Sequence, residues 1–535
     1  MEVRSQPPVL IGALLVAAVT MALYFPALWF PYVWTDHSEI EGQTLVPTSA
    51  NDLVRIFTLP KGEAKARARQ EYQQHRDRRG YAYFRPVKAL TYGLDWAVGG
   101  GRPWSFHLTN LLLHAGSCIL LLLAGRRLLG RRYPYMAEAL ALLHAVSPLH
   151  VEAAVWISAR SDVLWSLFTL AGVLLLLRSR ESRRPWIGHL GVAAMVLLAL
   201  GSKESALATV GILLLVSLVV ADERRPDWRR RLLVEGAAPV AALAVYLAYR
   251  LLVIADVDPS ALGARAGPGL WSLLHLFGLN LLQSFLPVGL TVADTLEVRS
   301  GPSLLGVLGA LLWLAWLLLG IKLRRKSPVL LLCALGWLLA VAPVSQIVPL
   351  LHPRGERYLY LPAVFAELSL IWILWSLVGM LRHAFARRVL VGALLIALVG
   401  LVLLSWTRSR PWADERRLFA GAVLEEPNCA ECWNNLAYAE AVRGRYRHAS
   451  AACLQALSVD TRRYRTARDG FSLRWILAKS LLLQGRGHQA VPWIKQIIAR
   501  LGPTPAGVNM LAEALAQAML FGHIPPTALL WPDTA

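Results

Sequence analysis

The chain has 535 residues, of which 56% are apolar and 17% charged, against about 25% charged in an ordinary soluble protein. Apolar runs at that density need lipid, not a larger core, which excludes soluble, fibrous and disordered classes. The formal charge of +21 would normally raise nucleic acid as a partner, but the basic residues sit in loops between apolar runs, and no nucleic-acid partner is expected.

A spanning helix needs about 20 mostly apolar residues to cross roughly 30 Å of hydrocarbon. Eleven runs qualify: approximately 9–30, 106–125, 134–154, 161–178, 186–201, 205–221, 232–254, 302–321, 328–348, 359–381 and 389–406. The first lacks a small-residue cleavage site and is expected to remain as an anchor. Arginine and lysine collect in five short loops, at Arg126 to Arg132, Arg178 to Arg184, Arg224 to Arg231, Lys322 to Lys326 and Arg382 to Arg388. Such charges stay cytoplasmic. Residues 147–160 and 201–204 then face outward. A further apolar stretch, 271–290, carries His275, Asn280, Gln283 and Pro287, which suit an interfacial or re-entrant helix. Segment 31–105 and everything after about 407 are thereby extracytoplasmic. Only eight of the 55 basic residues are lysine, a bias of GC-rich bacterial genomes, so a bacterial inner membrane is expected.

The fold class read from this pattern is all-α. Residues 1–406 form a multi-pass transmembrane helical bundle with a large first outer loop, 31–105, and residues 407–535 form an extracytoplasmic helical domain. In that tail Trp433, Leu436, Ala437, Ala449 and Ala456 fall at the offsets of a tetratricopeptide helix pair. Leu477, Ala478, Ala490 and Ile497 repeat them in degenerate form, and 504–525 supplies a capping helix. Such repeats dock a protein or peptide, or serve as a structural lid. The five cysteines are too scattered for a disulfide framework. Cys429 and Cys432 form C-A-E-C without a thioredoxin-like surround, so repeat packing is expected of them before redox or metal chemistry.

Polar residues collect at the outer boundary, where each is costly unless paired or wet. After the first run comes Trp34-Thr35-Asp36-His37-Ser38-Glu39. If a helix starts here, Asp36 and Glu39 share a face, and a carboxylate so placed can take a proton from an incoming hydroxyl. These two are the catalytic candidates. Arg85 lies in YAYFRPVK, and His107, Asn110 and His114 share one face of the second run. His150 and Glu152 follow Ser147-Pro148; Arg160 and Asp162 end W-I-S-A-R-S-D. Lys203 and Glu204 occupy the next outer turn, and Glu356, Arg357 and Tyr358 lie in H-P-R-G-E-R-Y-L-Y-L-P. Cations and acids delivered by separate loops to one boundary suit an anionic lipid headgroup, with arginine or lysine clamping phosphate. The first outer loop is basic from Lys61 to Lys88, as an amphipathic segment gathering anionic lipid or as a solvated linker.

The order W-T-D-H-S-E-I, F-R-P-V, F-H-L-T-N-L-L-L-H-A, H-V-E-A-A-V-W-I-S-A-R-S-D, S-K-E-S-A-L and G-E-R-Y-L-Y-L-P, followed by tetratricopeptide repeats, resembles the transmembrane and tetratricopeptide repeat-containing O-mannosyltransferases and their bacterial relatives. These belong to the glycosyltransferase C superfamily, and the resemblance covers nearly the whole chain. It implies a GT-C-like membrane domain and inverting transfer of a sugar from a polyprenyl-phosphate donor to an acceptor on the outer face. By position, Asp36 matches the second acid of the first-loop pair and becomes the general base. His150, Glu152, Arg160 and Asp162 match the second outer-loop motif, Lys203 and Glu204 the Lys-Glu pair, and Arg357 the phosphate clamp. Thr35 stands where relatives carry an acid, and Ser147 where they often carry histidine.

The expected function is therefore a glycosyltransferase moving a sugar, mannose being the first candidate, to a protein Ser/Thr hydroxyl. No cofactor is expected, because cations can meet the charge of a lipid-phosphate leaving group. The alternatives are a non-catalytic scaffold working through its repeats, which Thr35 favours, and a polysaccharide polymerase or ligase of similar topology.

Overall fold

A computed structural model describes residues 8–43, 45–57, 84–219, 227–253, 268–293, 295–350, 352–460, 464–465, 470–501 and 504–520. The basic stretch from Lys61 to Arg79, Arg224, Arg225 and the last residues of the expected capping helix lie outside the described residues. The chain divides into two compact units. One comprises Met1–Leu290, Arg299–Leu350 and Gly355–Ala413, and the other Thr291–Val298, Leu351–Arg354 and Asp414–Ala535.

Helices longer than ten residues are numbered in chain order. In the first unit they are α1 (Val9–Tyr24), α2 (Pro86–Gly99), α3 (Pro103–Leu129), α4 (Met136–Val146), α5 (Arg160–Ser179), α6 (Pro185–Leu200) and α7 (Leu207–Val219). They continue as α8 (Trp228–Val253), α9 (Leu270–Phe285), α10 (Leu304–Leu323), α11 (Val329–Val341), α12 (Tyr360–Met380) and α13 (Ala384–Ser409). Proline at the first position of α2, α3 and α6 costs no hydrogen bond there and presets the helical φ.

Among the described residues, each of the eleven apolar runs contains helix. Among the described residues, seven helical stretches are long and apolar enough to cross a membrane: Val9–Trp29, Pro103–Leu129, Ile157–Ser179, Trp228–Leu252, Leu304–Leu323, Glu356–Met380 and Ala384–Ala413. Met136–Val146, Pro185–Leu200, Glu204–Val219 and Val329–Val344 are shorter apolar helices. Phe385 and Ile396 on α13 and Leu304 on α10 are more than three-quarters exposed, an arrangement that suits hydrocarbon and not water.

One expected element differs. The run 134–154 is not one helix: α4 stops at Val146, because Pro148 has no N–H to continue the ladder. The chain then proceeds through short turns at Pro148–His150, Val151–Val155 and Ile157–Ala159 before α5 begins. The stretch expected as an interfacial helix is α9, which packs on α10 and α12. Its polar residues Ser272, Asn280, Gln283 and Ser284 are buried, and Ser284 Oγ accepts from Trp337 Nε1 at 3.0 Å.

Polar and small residues hold these helices together. On α5, Trp165 Nε1 donates to Thr209 Oγ1 of α7 at 3.0 Å, and the Thr169 hydroxyl meets the same oxygen at 2.7 Å. Where α9 crosses α10, a Cβ on Gly309 would stand 2.4 Å from the Gly278 Cα, so only glycine allows the backbones this close.

The second unit contains α14 (Glu415–Glu425), α15 (Ala430–Val442), α16 (Tyr446–Ser458), α17 (Gly470–Leu482), α18 (Gly487–Leu501) and α19 (Pro505–Leu520). Sequential helices pack on one another. Ala437, Ala449, Ala456, Leu477, Ala478 and Ala490 are all buried without exposure, as close antiparallel pairing of small residues requires. A short antiparallel pair joins Leu296–Glu297 to Tyr464–Arg465. Cys429 and Cys432, for which repeat packing was expected before redox or metal chemistry, are joined as a disulfide.

The glycine crossing makes a prediction. Gly309→Val should lower the thermal midpoint in detergent by the equivalent of roughly 1–3 kcal/mol, the cost of overpacking. Gly400→Val, where a Cβ meets nothing within 4 Å, should leave the midpoint nearly unchanged.

Candidate functional site

The site is built where the segment after α1 meets the broken stretch between α4 and α5. Trp34 takes a left-handed backbone, φ 57°, and its indole stacks on Trp156 with centroids 4.4 Å apart and planes 8° apart. That stack aligns two loops distant in sequence. Two residues beyond each tryptophan lie Asp36 and Ser158. The backbone N–H of Ser158 donates to Asp36 Oδ1 at 2.9 Å and the Ser158 hydroxyl donates to the same oxygen, while Val33 N–H donates to Oδ2 at 3.3 Å. Asp36 is fully buried. Burial pushes its carboxyl up to about 7; the Ser158 hydroxyl pulls the other way, and the charge of Glu39 adds to the rise. A carboxylate poised there exchanges its proton near neutrality, as a general base requires.

Asp36 and Glu39, expected on one helical face, lie at the start of an irregular helical turn. The segment His37–Glu41 is a π-helical turn, and the two acids have different partners. Glu39 Oε2 accepts from Lys88 Nζ at 2.7 Å and from the Tyr92 hydroxyl at 3.3 Å. Lys88 also donates to the Ser158 carbonyl at 3.0 Å, so one buried ammonium bridges the Glu39 turn to the residue that holds Asp36. Burial lowers the Lys88 amine, with Glu39 opposing.

Three further ion pairs surround this centre. Arg357 donates its backbone N–H to Glu152 Oε2 at 2.8 Å, and its guanidinium pairs with the other oxygen. The guanidinium carbon lies 5.0 Å from the Trp156 ring centre, 5.9 Å from Trp34 and 4.8 Å from Tyr358. Lys203 pairs with Asp162 at the start of α5 and lies 4.6 Å over the Tyr358 ring. Burial brings Lys203 down to about 8, Asp162 opposing. At the start of α2, Val87 N–H donates to the Gly201 carbonyl at 3.0 Å, which sets Arg85 beside Glu204, 2.8 Å from Nη2 to Oε2. Arg85, Lys88, Lys203 and Arg357 thus each meet one carboxylate, and Lys203 feels the charges of both Arg85 and Arg357. Preset cations of this kind suit a phosphate.

Four of the residues expected to bind donor are placed elsewhere. Arg160 is wholly buried: its guanidinium pairs with Asp95 at 2.5 Å and donates to Asn110 Oδ1, Thr91 Oγ1 and the Phe106 carbonyl at 2.6, 3.1 and 2.7 Å. It ties α2, α3 and α5 together and offers nothing to a ligand. His107 is buried with its ring edge-on to Phe30. Glu356 pairs with Arg408 at 2.9 Å. His150 joins His144 and Glu367 in a separate cluster. Sequence reasoning did not single out Ser158, Lys88 and Tyr92. Ser158 and Lys88 lay inside quoted motifs, each a hydroxyl or amine between apolar neighbours, whereas Tyr92 lay outside them.

Arg160→Ala should cost about 3–5 kcal/mol of stability, because it strands Asp95 as a buried uncompensated charge. Thermal unfolding in detergent checks this; a normal midpoint would return Arg160 to the ligand site.

No family model matches the chain. Among curated proteins, mouse protein O-mannosyl-transferase TMTC3 is 23% identical over 505 residues, covering 83% of this chain and 52% of that protein. Human TMTC2 is 39% identical over 113 residues, 20% of this chain and 13% of that protein. Fruit-fly Tmtc2 (Drosophila melanogaster) is 30% identical over 200 residues, 36% and 21% respectively. The chain spans about half the length of the TMTC3 relative. Among solved structures, ArnT from Cupriavidus metallidurans bound to undecaprenyl phosphate aligns with a TM-score of 0.41 and 16% identity, over 95% of this chain and 87% of that one. An Archaeoglobus fulgidus oligosaccharyltransferase aligns with a TM-score of 0.38 and 15% identity, over 75% and 56%. In sequence, the chain resembles the TMTC protein O-mannosyl-transferases.

Proposed function

We propose that the protein is a membrane glycosyltransferase that moves a sugar, with mannose as the first candidate, from a polyprenyl-phosphate donor to a hydroxyl acceptor such as protein serine or threonine. The observation that carries this reading is Asp36: a fully buried carboxylate, held by Ser158 and titrating near neutrality, beside cations each preset by an acid. The names of the sequence relatives, all protein O-mannosyl-transferases, support it. In the reaction the acceptor hydroxyl gives its proton to Asp36 as its oxygen attacks the anomeric carbon. The sugar–phosphate bond breaks on the opposite face, and the electron pair leaves with the lipid phosphate. Arg357 and Lys203, with Arg85 behind them, meet the charge that develops there. Glu39 holds Lys88 against the Ser158 carbonyl and so keeps the base in place, which gives it a positioning role despite Thr35 at the neighbouring motif position.

On this reading the site faces outward from a bacterial inner membrane, opposite the arginine loops. The second unit lies in the same compartment, where the Cys429–Cys432 disulfide is stable, and its paired helices are tetratricopeptide repeats that present a protein or glycan acceptor. A scaffold reading rests on Thr35, and turnover separates the two.

With labelled polyprenyl-phosphate mannose and purified protein, transfer should fall by about 10²–10⁴-fold in Asp36→Asn, the usual worth of a general base. For the wild type, kcat/KM should rise with pH through about 7 as Asp36 loses its proton, and fall above about 8 as Lys203 loses its charge. Undiminished transfer by Asp36→Asn removes it as the base, and no transfer by the wild type from any polyprenyl-phosphate sugar favours the scaffold.

A further inference from the structure

Behind the proposed site lies a second cluster that the transfer reaction does not use. His114 on α3, His144 on α4, His150 on the turn after Pro148 and Glu367 on α12 come from four separate elements. The three rings are wholly buried and Glu367 is 5% exposed. Glu367 Oε2 lies 2.8 Å from His144 Nδ1, and Oε1 lies 3.1 Å from His150 Nε2. His114 Nδ1 meets the Tyr360 hydroxyl at 2.6 Å. The ring centres of His144 and His150 are 4.0 Å apart, and that of His114 is 6.1 and 6.4 Å from them.

Three buried imidazoles around one buried carboxylate need an explanation. His114 Nε2, His144 Nε2 and His150 Nδ1 are all buried with no hydrogen-bond partner. A buried polar atom left unpaired costs about 1–3 kcal/mol, and three on adjacent rings are rare in a folded interior. A carboxylate at this depth also needs a positive charge beside it. A single cation held by Glu367 and the two nitrogens that face it, His144 Nδ1 and His150 Nε2, answers the second demand, and His114 Nε2 is the unpaired nitrogen left to complete it.

We propose that His144, His150 and Glu367, with His114 as fourth ligand, form a structural site for one divalent ion of the zinc class. One donor atom from each of the first three already lies within 4.8 Å of the others. Zinc bonds of about 2.0–2.2 Å in a tetrahedron place donors roughly 3.3–3.6 Å apart, between the present His–Glu separations and that upper limit. For these three donors the change needed is of the order of an ångström, and His114, with its ring centre 6.1 and 6.4 Å from the other two, approaches from α3. Tyr360 on His114 Nδ1 supplies the outer hydrogen bond that fixes which nitrogen of a liganding histidine faces the ion. The donor set of nitrogen and oxygen without thiolate excludes the softer copper(I) class. The ion's role is positional. His150 stands two residues before Glu152, which holds Arg357, so an ion pinning His150 to α3, α4 and α12 fixes the base of the phosphate clamp.

The test uses the full chain, purified in detergent without chelator from zinc-supplemented cells. Elemental analysis should find roughly one zinc per chain, and X-ray absorption at the zinc edge should show a nitrogen and oxygen shell with imidazole scattering. After chelation, cobalt(II) added alone should give the visible bands of a tetrahedral site. His144→Ala and Glu367→Gln should each lower ion content at least tenfold, whereas Asp36→Asn should leave it unchanged. A wild-type protein that carries no zinc and takes up no cobalt overturns the site and leaves the cluster as a proton-sharing ion pair. So does a sulfur-containing shell, or full occupancy in both variants. Each readout on the wild type stands even if a variant fails to fold.

Discussion

One contact organises the site: the Asp36 carboxylate held by the backbone and hydroxyl of Ser158, sequestered from solvent. Burial alone would raise the carboxyl further still. Hydrogen bonds alone would pull it below the range of an exposed acid. Their opposition leaves the group titrating near 7, where a base is most useful. The contact also ties the segment after α1 to the turn before α5, and the Trp34–Trp156 stack and the Lys88 bridge repeat that tie on either side.

Around this centre, charge is matched almost one for one. Arg85, Lys88, Lys203 and Arg357 each have a carboxylate, since an unpaired ion at a membrane boundary would cost several kcal/mol. Pairing also fixes orientation. A guanidinium clasped by Glu152 and flanked by three aromatic rings has little freedom left to lose when a phosphate arrives, so ordering it costs little at the moment of reaction. The polar groups that hold the helices together use the same logic farther from the site, in the Trp165–Thr209 contact and in the Arg160 fork.

Much of the frame was legible in the sequence, because run length and charge-rich loops are properties of the chain alone; ten of the eleven runs each hold one main helix among the described residues. The break after Val146 was also readable in Pro148, yet apolar residues on both sides made one run seem economical. The site was legible as a set of motifs but not as contacts. Asp36 and Glu39 are three apart, which suggests one helical face; the left-handed Trp34 and the π-helical turn that follows send them to different partners. Arg160 and Arg357 look alike in sequence, and only the third dimension shows that four acceptors enclose the first. Glu367 was hidden inside an apolar run, where a lone acid has no visible partner until His144 and His150 fold against it.

Infrared difference titration of the purified, ligand-free protein tests the buried base most directly. A protonated carboxyl band should disappear with a midpoint near pH 7, be absent in Asp36→Asn, and shift to higher pH in Ser158→Ala, where a hydrogen bond that favours the charged form is gone. A carboxyl that titrates near 4, the value of an exposed acid, or a midpoint unmoved by Ser158→Ala, would contradict the arrangement on which the proposed chemistry depends.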